Sequence, residues 1–370
     1  MTQLHTVQVL GGGSAGSSAH VRSLAAGLVA RGVRVTVCAP AELDHAYDFL
    51  STGARFVPVP RRGDPVAIGA LRAACARADV VHAHGLHASA RAGLALGSLG
   101  VPLVVTWHTR THADGARGRL VRLMERRTVR TAAVVLGTSS ELVDRARRRG
   151  ARDARLGPVS TPPPRTGVPE AQAGKARAEL GAMDRPLLVA VGALERHRGY
   201  GTLLDASGLW LRHDPVPLVA VAGEGRRRAE LQRRIDAEGL PVRLLGRRAD
   251  VTSLLAAADV VVLPSRWEAR APLAQEALRL GVPLVATAVG GVPELVGDAA
   301  VLVPYGDAGA LAAAVTALLA DPAGRAALAS AGRAQAATWP TEDDTIAQVL
   351  SVYDELCGGS RFGGPRPRGR

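Results

Sequence analysis

The sequence predicts an α/β protein made of two parallel-sheet domains in tandem. Its 370 residues exceed one ordinary core and suit two domains of about 150 to 200 residues each. In both halves, short apolar runs alternate with segments of helical period, which is typical of parallel sheets covered by helices. Between the halves, the proline-rich segment LGPVSTPPPRTGVPE interrupts this alternation and marks a domain boundary.

The first half contains six candidate strands, each a short run rich in β-branched residues. They are TVQVL, VRVTVCA, RFVPV, DVVHA, PLVVTW and AAVVLG. Helical segments such as HVRSLAAGLVARG and ELVDRARRRG separate them. We therefore expect a first Rossmann-like domain over residues 1–160.

The second half repeats this arrangement over residues 161–340. Its candidate strands are LLVAVG, LVAVAG, VRLLG, DVVVLP, PLVATAV and AAVLVP. Helices are expected near residues 203–211, 226–238, 272–279 and 310–319. A second Rossmann-like domain of similar size follows from this pattern.

A final helix is expected over residues 341–357. Thr341 is the expected N-cap, and the acidic residues that follow it lie in the first turn, where they interact favourably with the helix dipole. Residues 358–370 consist mainly of Gly, Pro and Arg, which cannot bury a core. We expect this basic tail to be disordered.

Composition argues against several classes of protein. The 46 basic and 33 acidic residues give a net charge of +13, but aromatic residues make up only 3 % of the chain and no nucleic-acid recognition module is visible. Cys38, Cys75 and Cys357 are scattered without CxxC spacing, which favours neither disulfides nor zinc. No apolar run is long enough to cross a bilayer and no signal peptide is evident, so a cytoplasmic location is expected.

A glycine-rich loop follows the first strand. Gly11, Gly13 and Gly16 fit the pattern GxGxxG between a strand and a helix, where backbone N–H groups can bind phosphate. A nicotinamide-dependent dehydrogenase would also place an acidic residue at the end of the second strand, whereas that strand ends in Cys-Ala-Pro and Glu42 comes late. A tight turn that requires small residues is another interpretation.

The segment PSRWEARAPLAQEALRLGVPLVATAVGGVPEL carries a more specific pattern. Seven residues separate Glu268 from Glu276, and a double-glycine turn follows the helix. With this segment the chain resembles the retaining glycosyltransferases of family four. The resemblance implies the GT-B fold, with two Rossmann-like lobes facing a central cleft and a C-terminal helix that crosses back to the first lobe.

The resemblance extends over nearly the whole chain, through segments such as GGGSAGSSAHVRSLAAGL, DVVHAHGLHA, VVTWH and VGALERHRGYGTLLDA. It implies that Glu268 contacts the donor sugar, that Glu276 binds the ribose, and that His108 approaches the sugar. For the two glutamates the alternative is a solvated helix start. For His108 the alternative is a structural histidine at a strand end. The nearby histidines match no metal spacing and are expected to be loop or core groups, namely His82, His84, His87 and His112.

The diphosphate of the donor needs positive partners. The backbone of Gly12 and Gly13, together with Arg196 and Arg198, can supply them. The family usually carries an arginine at the position of Ala193 and a lysine five residues later, where this chain has Arg198. The sequence contains no Asp-x-Asp pair. We therefore expect a metal-independent enzyme that uses a nucleoside diphosphate sugar as substrate and no cofactor, with Glu268, His108 and Arg198 as its catalytic residues.

The region expected to serve the acceptor contains a basic helix near residues 117–130. Leu120, Leu123 and Met124 fall on one side and arginines largely on the others, a pattern typical of contact with anionic lipid. An ordinary crossover helix with a solvated arginine face has the same pattern. The acceptor itself, whether a glycolipid, a cell-wall component or a small-molecule glycoside, is not identified by the sequence.

Two other functions stay open. A sugar-nucleotide epimerase could use the same architecture, but it would need further acid and base groups around the sugar. A nucleotide-sugar-binding protein without turnover is suggested by Ala193, which lacks the positive charge of the family residue. Release of free nucleoside diphosphate would distinguish both from a transferase.

Overall fold

The computed structural model describes residues 3–12, 15–61, 65–97, 99–111, 113, 115–157, 159–160 and 169–362. The polypeptide divides into two compact units. The first comprises residues 1–161 together with 340–370, and the second comprises residues 162–339. The chain therefore leaves the first unit once and returns to it at its C-terminal end.

The described part of the first unit contains a seven-stranded parallel sheet. Its strands are β1 (His5–Leu10), β2 (Arg34–Ala39), β3 (Arg55–Pro58), β4 (Val80–His84), β5 (Leu103–Trp107), β6 (Val134–Gly137) and β7 (Ala154–Leu156), in the order β3-β2-β1-β4-β5-β6-β7. The helices between them are α1 (Ala15–Ala30), α2 (Ala41–Tyr47), α3 (Pro65–Cys75), α4 (Leu86–Leu96), α5 (Gly115–Thr131) and α6 (Ser140–Arg148). The six strands expected from the sequence are present, and β7 was not expected.

The second unit contains a six-stranded parallel sheet in its described residues. The strands are β8 (Leu187–Val191), β9 (Leu218–Ala222), β10 (Val242–Gly246), β11 (Val260–Leu263), β12 (Leu284–Thr287) and β13 (Val301–Val303), in the order β10-β9-β8-β11-β12-β13. The helices are α7 (Glu170–Glu179), α8 (Tyr200–Leu209), α9 (Arg228–Glu238), α10 (Val251–Ala256), α11 (Pro272–Leu280), α12 (Val292–Val296), α13 (Ala308–Ala320) and α14 (Pro322–Ala337). All six expected strands are present, so the predicted class of two parallel-sheet α/β units is confirmed.

The central strands of the second unit, β8, β9, β11 and β12, are buried on both faces. Successive residues of β8 point to opposite sides of the sheet, as the two-residue period of a strand requires. Leu187 and Val189 enter one apolar core, whereas Leu188 and Ala190 enter the other. This explains why the sequence shows continuous apolar runs rather than alternation.

The last helix, α15 (Glu342–Phe362), belongs to the first unit. The predicted N-cap is confirmed, because Thr341 Oγ1 accepts a hydrogen bond from the backbone N–H of Asp344 at 3.1 Å and the Asp344 carboxylate accepts one from the Thr341 N–H at 2.9 Å. Ile346, Val349 and Tyr353 pack into the core that α1 forms with the sheet.

The expected end of this helix at residue 357 is too early, since α15 continues to Phe362. Composition was a poor guide here because each residue added to an existing helix gains a backbone hydrogen bond at low cost, even where the helix would not start on its own. The remainder of the expected disordered tail, residues 363–370, lies outside the described residues.

Within the described ranges no single helix is both long and apolar enough to cross a membrane. One helix pair, Ala308–Ala320 with Pro322–Gly358, satisfies length and composition when its two members are taken together, with a bend of 103° between them.

Candidate functional site

The second unit has a pocket at the carboxyl ends of strands β8 and β11. Its volume is about 220 Å³, and Arg198, Glu268 and Glu276 line it together with Gly192 and several apolar residues. Ligands of open α/β sheets bind beyond the carboxyl ends of the strands, so the location is typical of a binding site. The structure thus brings together three of the predicted site residues within one unit.

Glu268 lies in the loop after β11, and its residue surface is only 9 % exposed. One carboxylate oxygen accepts a hydrogen bond from Ser265 Oγ at 2.8 Å and forms an ion pair with the Arg198 guanidinium. The backbone oxygen of Glu268 accepts from the Gly291 N–H at 2.9 Å. A Cβ at Gly290, where φ is +58°, would lie 2.0 Å from that oxygen, so the double-glycine turn can pack here only without a side chain.

Glu276 reaches the same pocket from helix α11. Pro272 begins this helix, and Gly281 ends it in a left-handed conformation. Glu276 Oε1 accepts a hydrogen bond from Thr252 Oγ1 at 2.5 Å. The two glutamates of the sequence pattern therefore line one pocket from different elements, a loop and a helix.

The loop between β8 and α8 positions the basic residues. Arg196–Arg198 form one turn of 3-10 helix, and Gly199 follows with φ +71°. Gly199 lies so close to Pro264 that a Cβ at this position would be 1.8 Å from the Pro264 backbone oxygen. Arg198 lines the pocket and its buried Nε–H has no hydrogen-bond partner among the described residues. Arg196 is exposed, does not line the pocket, and lies near Glu230. Ala193 is also exposed.

The glycine loop of the first unit is described only in part. Gly12 has φ +84°, and a Cβ there would lie 3.0 Å from the Arg61 guanidinium. Gly13 lies outside the described residues. Arg61, which donates a hydrogen bond to Glu42 at 2.6 Å, is a cation beside this loop that the sequence interpretation missed. Its only sequence signal is its place just after strand β3.

Four histidines gather near the carboxyl ends of β4 and β5. His82 and His84 lie on β4, His108 follows β5, and His20 comes from α1. The ring centroids of His20, His84 and His108 lie 5.4 to 5.7 Å apart. Sequence interpretation treated His82 and His84 as loop or core groups and did not single out His20, because the contact depends on sheet order. His112 lies outside the described residues.

No carboxylate of the described residues pairs with these imidazoles, which are mostly buried, so desolvation favours their neutral form. Burial lowers the pKa of His20 to about 4 and that of His82, with a contribution from His20, to about 3. Burial first, and then the neighbouring imidazoles, hold the pKa values of His84 and His108 well below the usual range. At neutral pH each ring therefore has one N–H and one lone pair.

His20, His84 and His108 also form a three-residue group whose nitrogen atoms lie within 4.8 Å of one another, close enough to consider a metal ion. However, His84 Nδ1 and His108 Nε2 are 3.2 Å apart, while the two rings are inclined by only 25° with centroids 5.5 Å apart. These values place the two nitrogens almost on the line between the ring centres. They point at each other, as in an N–H···N hydrogen bond, and not towards a common metal position.

Comparison with known proteins identifies the class to which this fold and pocket belong. Residues 15–161 match the family model described as glycosyl transferase 4-like domain, and residues 173–335 match that of glycosyl transferases group 1. The chain is similar to the crystal structure of Anabaena Alr3699/HepE in complex with UDP, with a TM-score of 0.81 and 19 % identity over 96 % of this chain and 100 % of that one. It is also similar to the structure of Alr3699/HepE in complex with UDP-glucose, with a TM-score of 0.81 and 20 % identity over 95 % of this chain and 100 % of that one. The molecule is a glycosyltransferase of the GT-B class.

Similarity in sequence narrows this class to a family. The chain is 33 % identical over 318 residues to the D-inositol 3-phosphate glycosyltransferase of Xylanimonas cellulosilytica, covering 77 % of this chain and 75 % of the relative. It is 29 % identical over 280 residues to the alpha-D-kanosaminyltransferase of Streptomyces kanamyceticus, covering 70 % and 72 %. The chain belongs to the family-four glycosyltransferases.

Proposed function

We propose that this protein is a retaining, metal-independent enzyme that transfers a hexosyl or N-acetylhexosaminyl group from a nucleoside diphosphate sugar to a glycolipid, a cell-wall component or a small-molecule glycoside. The observation that carries this proposal is the convergence of Arg198, Glu268 and Glu276 on one pocket of the second unit. The UDP and UDP-glucose complexes of Alr3699/HepE support a nucleoside diphosphate sugar as donor.

The charges in the pocket match the changes that occur as a sugar–phosphate bond breaks. The anomeric carbon becomes positive and the departing diphosphate becomes more negative, so the reaction needs an anion near the sugar and cations near the phosphate. Among the residues that the structure describes, no group accepts from the buried Nε–H of Arg198, which can therefore donate to a phosphate oxygen. A diphosphate would compete with Glu268 for the guanidinium, which leaves the Glu268 oxygens available for sugar hydroxyls.

Glu276 suits the ribose because a carboxylate can accept two neighbouring hydroxyl hydrogens in a bidentate arrangement. The resemblance to the family assigns His108 to the sugar and the glycine loop of Gly12 and Gly13 to the phosphates. We propose that the anomeric configuration of the sugar is retained because the leaving phosphate, or the substrate itself, takes the proton of the acceptor hydroxyl. This proposal requires no separate protein base.

A donor panel tests the function directly. We expect release of free nucleoside diphosphate from one member of a set of UDP-, GDP- and ADP-sugars when a suitable acceptor is present. An epimerase would change the sugar without releasing nucleotide, and a binding protein would retain the donor unchanged. Either result would refute transfer.

Substitution of the two glutamates should separate binding from turnover. Glu276→Ala removes the ribose partner, and loss of charged hydrogen bonds worth about 1.5 to 3 kcal/mol should weaken nucleoside diphosphate binding by about 10- to 150-fold. Glu268→Ala should bind the diphosphate nearly as the parent does but turn over more slowly. Calorimetry and initial rates measure both effects, with exposed Glu238→Ala as the charge-matched control. Parental affinity in Glu276→Ala would contradict the ribose assignment.

A peripheral contact with anionic membrane is also proposed, at helix α5. Leu120 is 57 % exposed and Leu123 is 63 % exposed, whereas Val121 and Glu125 face the interior. The sequence prediction had grouped Met124 with the two leucines, and it is partly buried. Exposed arginines surround this apolar pair, namely Arg117, Arg119, Arg122, Arg126, Arg127 and Arg130. Exposed leucines flanked by guanidinium groups suit the boundary between lipid headgroups and acyl chains. The cytoplasmic leaflet of a membrane contains anionic lipid, which would attract these arginines.

A further inference from the structure

A continuous chain of hydrogen bonds crosses the interior of the first unit from helix α15 to the loop after β5. Tyr353 Oη lies 2.8 Å from His82 Nδ1 and 2.9 Å from Gln8 Nε2. Gln8 Oε1 lies 2.9 Å from His84 Nε2, and His84 Nδ1 lies 3.2 Å from His108 Nε2. The first four side chains are buried and His108 is partly exposed. The chain therefore connects an interior tyrosine to the histidine assigned to the sugar.

The direction of each link follows from what each atom can donate. The Gln8 amide nitrogen donates to Tyr353 Oη and to Thr6 Oγ1, so its oxygen faces His84 and can only accept. His84 Nε2 must then carry hydrogen. Because His84 is neutral, its Nδ1 has a lone pair and accepts from His108 Nε2–H.

The opposite direction requires a rotation of the Gln8 amide by half a turn, which would exchange donor and acceptor along the entire chain. His84 and His108 would then each hold the hydrogen on Nδ1 instead of Nε2. The Nε2–H form is intrinsically the more stable tautomer of a neutral histidine side chain. His84 and His108 therefore both favour the direction described above, and the orientation of one buried amide sets both tautomers.

We propose that Gln8, held in orientation by Tyr353, is a positioning residue that fixes His108 as its Nε2–H tautomer and leaves His108 Nδ1 as a hydrogen-bond acceptor for a hydroxyl of the donor sugar. This inference rests on the proposed function, which places His108 against the sugar. Among the described residues no hydrogen bond occupies His108 Nδ1. The contact selects a ligand group that donates, such as a hydroxyl, over a carbonyl or carboxylate, which can only accept.

The tautomers can be measured without turnover. In the full-length protein with ¹⁵N-labelled histidine, long-range ¹H–¹⁵N correlation spectra distinguish the Nε2–H and Nδ1–H forms of each neutral ring. Spectra of His84→Gln and His108→Gln assign the signals. We expect both His84 and His108 in the Nε2–H form at pH 7. Either ring in the Nδ1–H form would overturn the proposed direction, whether or not the protein turns over a donor.

Tyr353→Phe tests the role of the amide. Loss of the hydroxyl removes one of the two acceptors that hold the Gln8 nitrogen, so we expect a mixture of tautomers at His84 and His108. With equal populations half of the molecules present the form that accepts from the sugar hydroxyl, so KM for the donor should rise by about twofold with little change in kcat. Unchanged tautomers in a folded Tyr353→Phe protein would refute the positioning role.

Val352→Ala is the matched control, since it removes buried volume from the same helix without touching the hydrogen-bond chain. It should lower stability and leave the tautomers, kcat and KM for the donor as in the parent. A shift in tautomer population in this variant would mean that packing, not the Tyr353 hydroxyl, orients the amide. A further check is the addition of Zn²⁺ to chelator-treated protein. If Zn²⁺ binds stoichiometrically at His84 and His108 and their N–H···N signals disappear, the cluster is a metal site and the proposal is refuted.

Discussion

Arg198 lines the pocket of the second unit, whereas Arg196, two residues earlier, is exposed and does not. Both precede Gly199, whose close approach to Pro264 fixes the end of the loop. Ala193 stands where the family usually has arginine, and Arg198 is the arginine among the described residues that line the pocket. The proposed function therefore assigns the diphosphate to Arg198. The difference between two neighbouring arginines is therefore a sensitive test of the phosphate assignment.

Arg198→Ala should lower kcat/KM for the donor by about 30- to 1000-fold, because loss of a positive group from a partly desolvated site costs about 2 to 4 kcal/mol of transition-state stabilisation. Arg196→Ala, the matched control on the same turn, should remain within a few-fold of the parent. Steady-state kinetics with the identified donor measure both. Similar rates in the two variants would show that the phosphates bind elsewhere.

The sequence revealed the site residues that share one local segment, but not those that the sheet brings together from distant segments. Glu268 and Glu276 stand eight positions apart in one segment of the chain, and the resemblance of that segment to the family indicated one site. His20 and Arg61 gave no such signal. His20 meets His84 and His108 only because β1, β4 and β5 are neighbours in the sheet, and Arg61 meets Gly12 only because β3 and β1 end at the same edge. Strand order is a property of the fold and not of any local pattern.

At the level of elements, most strands could be predicted because a parallel strand buried on both faces leaves an unmistakable apolar run. Strand β7 could not, because it has three residues, lies at the sheet edge and contains Arg155, whose guanidinium bonds Asp153 and Glu355. Helix α14 was likewise not singled out, since its apolar residues are mostly alanine and only Gly332 is fully buried. Weak amphipathicity gives a weak signal.

The proposed contact of helix α5 with anionic lipid can be tested with vesicles. If its exposed leucines and arginines contact lipid, the protein should sediment with vesicles that contain phosphatidylglycerol and not with vesicles of phosphatidylcholine alone. Binding to the phosphatidylglycerol vesicles should weaken in high salt, which screens the attraction. Arg119→Gln with Arg122→Gln should weaken this binding by roughly 30-fold, since each arginine near an anionic surface contributes about 1 kcal/mol. Vesicle sedimentation of both proteins measures the effect.

The control for this experiment is Arg226→Gln with Arg233→Gln, which removes the same charge from exposed positions of the second unit. It should bind vesicles nearly as the parent does. If both double variants lose affinity equally, the attraction comes from the net charge of +13 and not from helix α5.

For the whole molecule, the proposed chemistry assigns all phosphate neutralisation to protein groups. Donor turnover should therefore persist at parental rate, within about twofold, after exhaustive treatment with EDTA and in its continued presence. Initial rates before and after treatment, with Mg²⁺ or Mn²⁺ restored in a parallel sample, provide the comparison. A loss of activity that the added metal reverses would contradict the metal-independent mechanism.

Helix α15 has a consequence for the order in which the protein can fold as it leaves the ribosome. Domains usually fold in the order of their synthesis, N-terminal first. Here the first unit still lacks Ile346, Val349 and Tyr353 from its core when residues 162–339 have all emerged. Until the last segment arrives, Gln8 and His82 have no Tyr353 hydroxyl to bond, and unsatisfied buried polar groups are costly. The second unit, which is continuous in sequence, can close its core sooner, so the half of the enzyme that is made first is the half that is completed last.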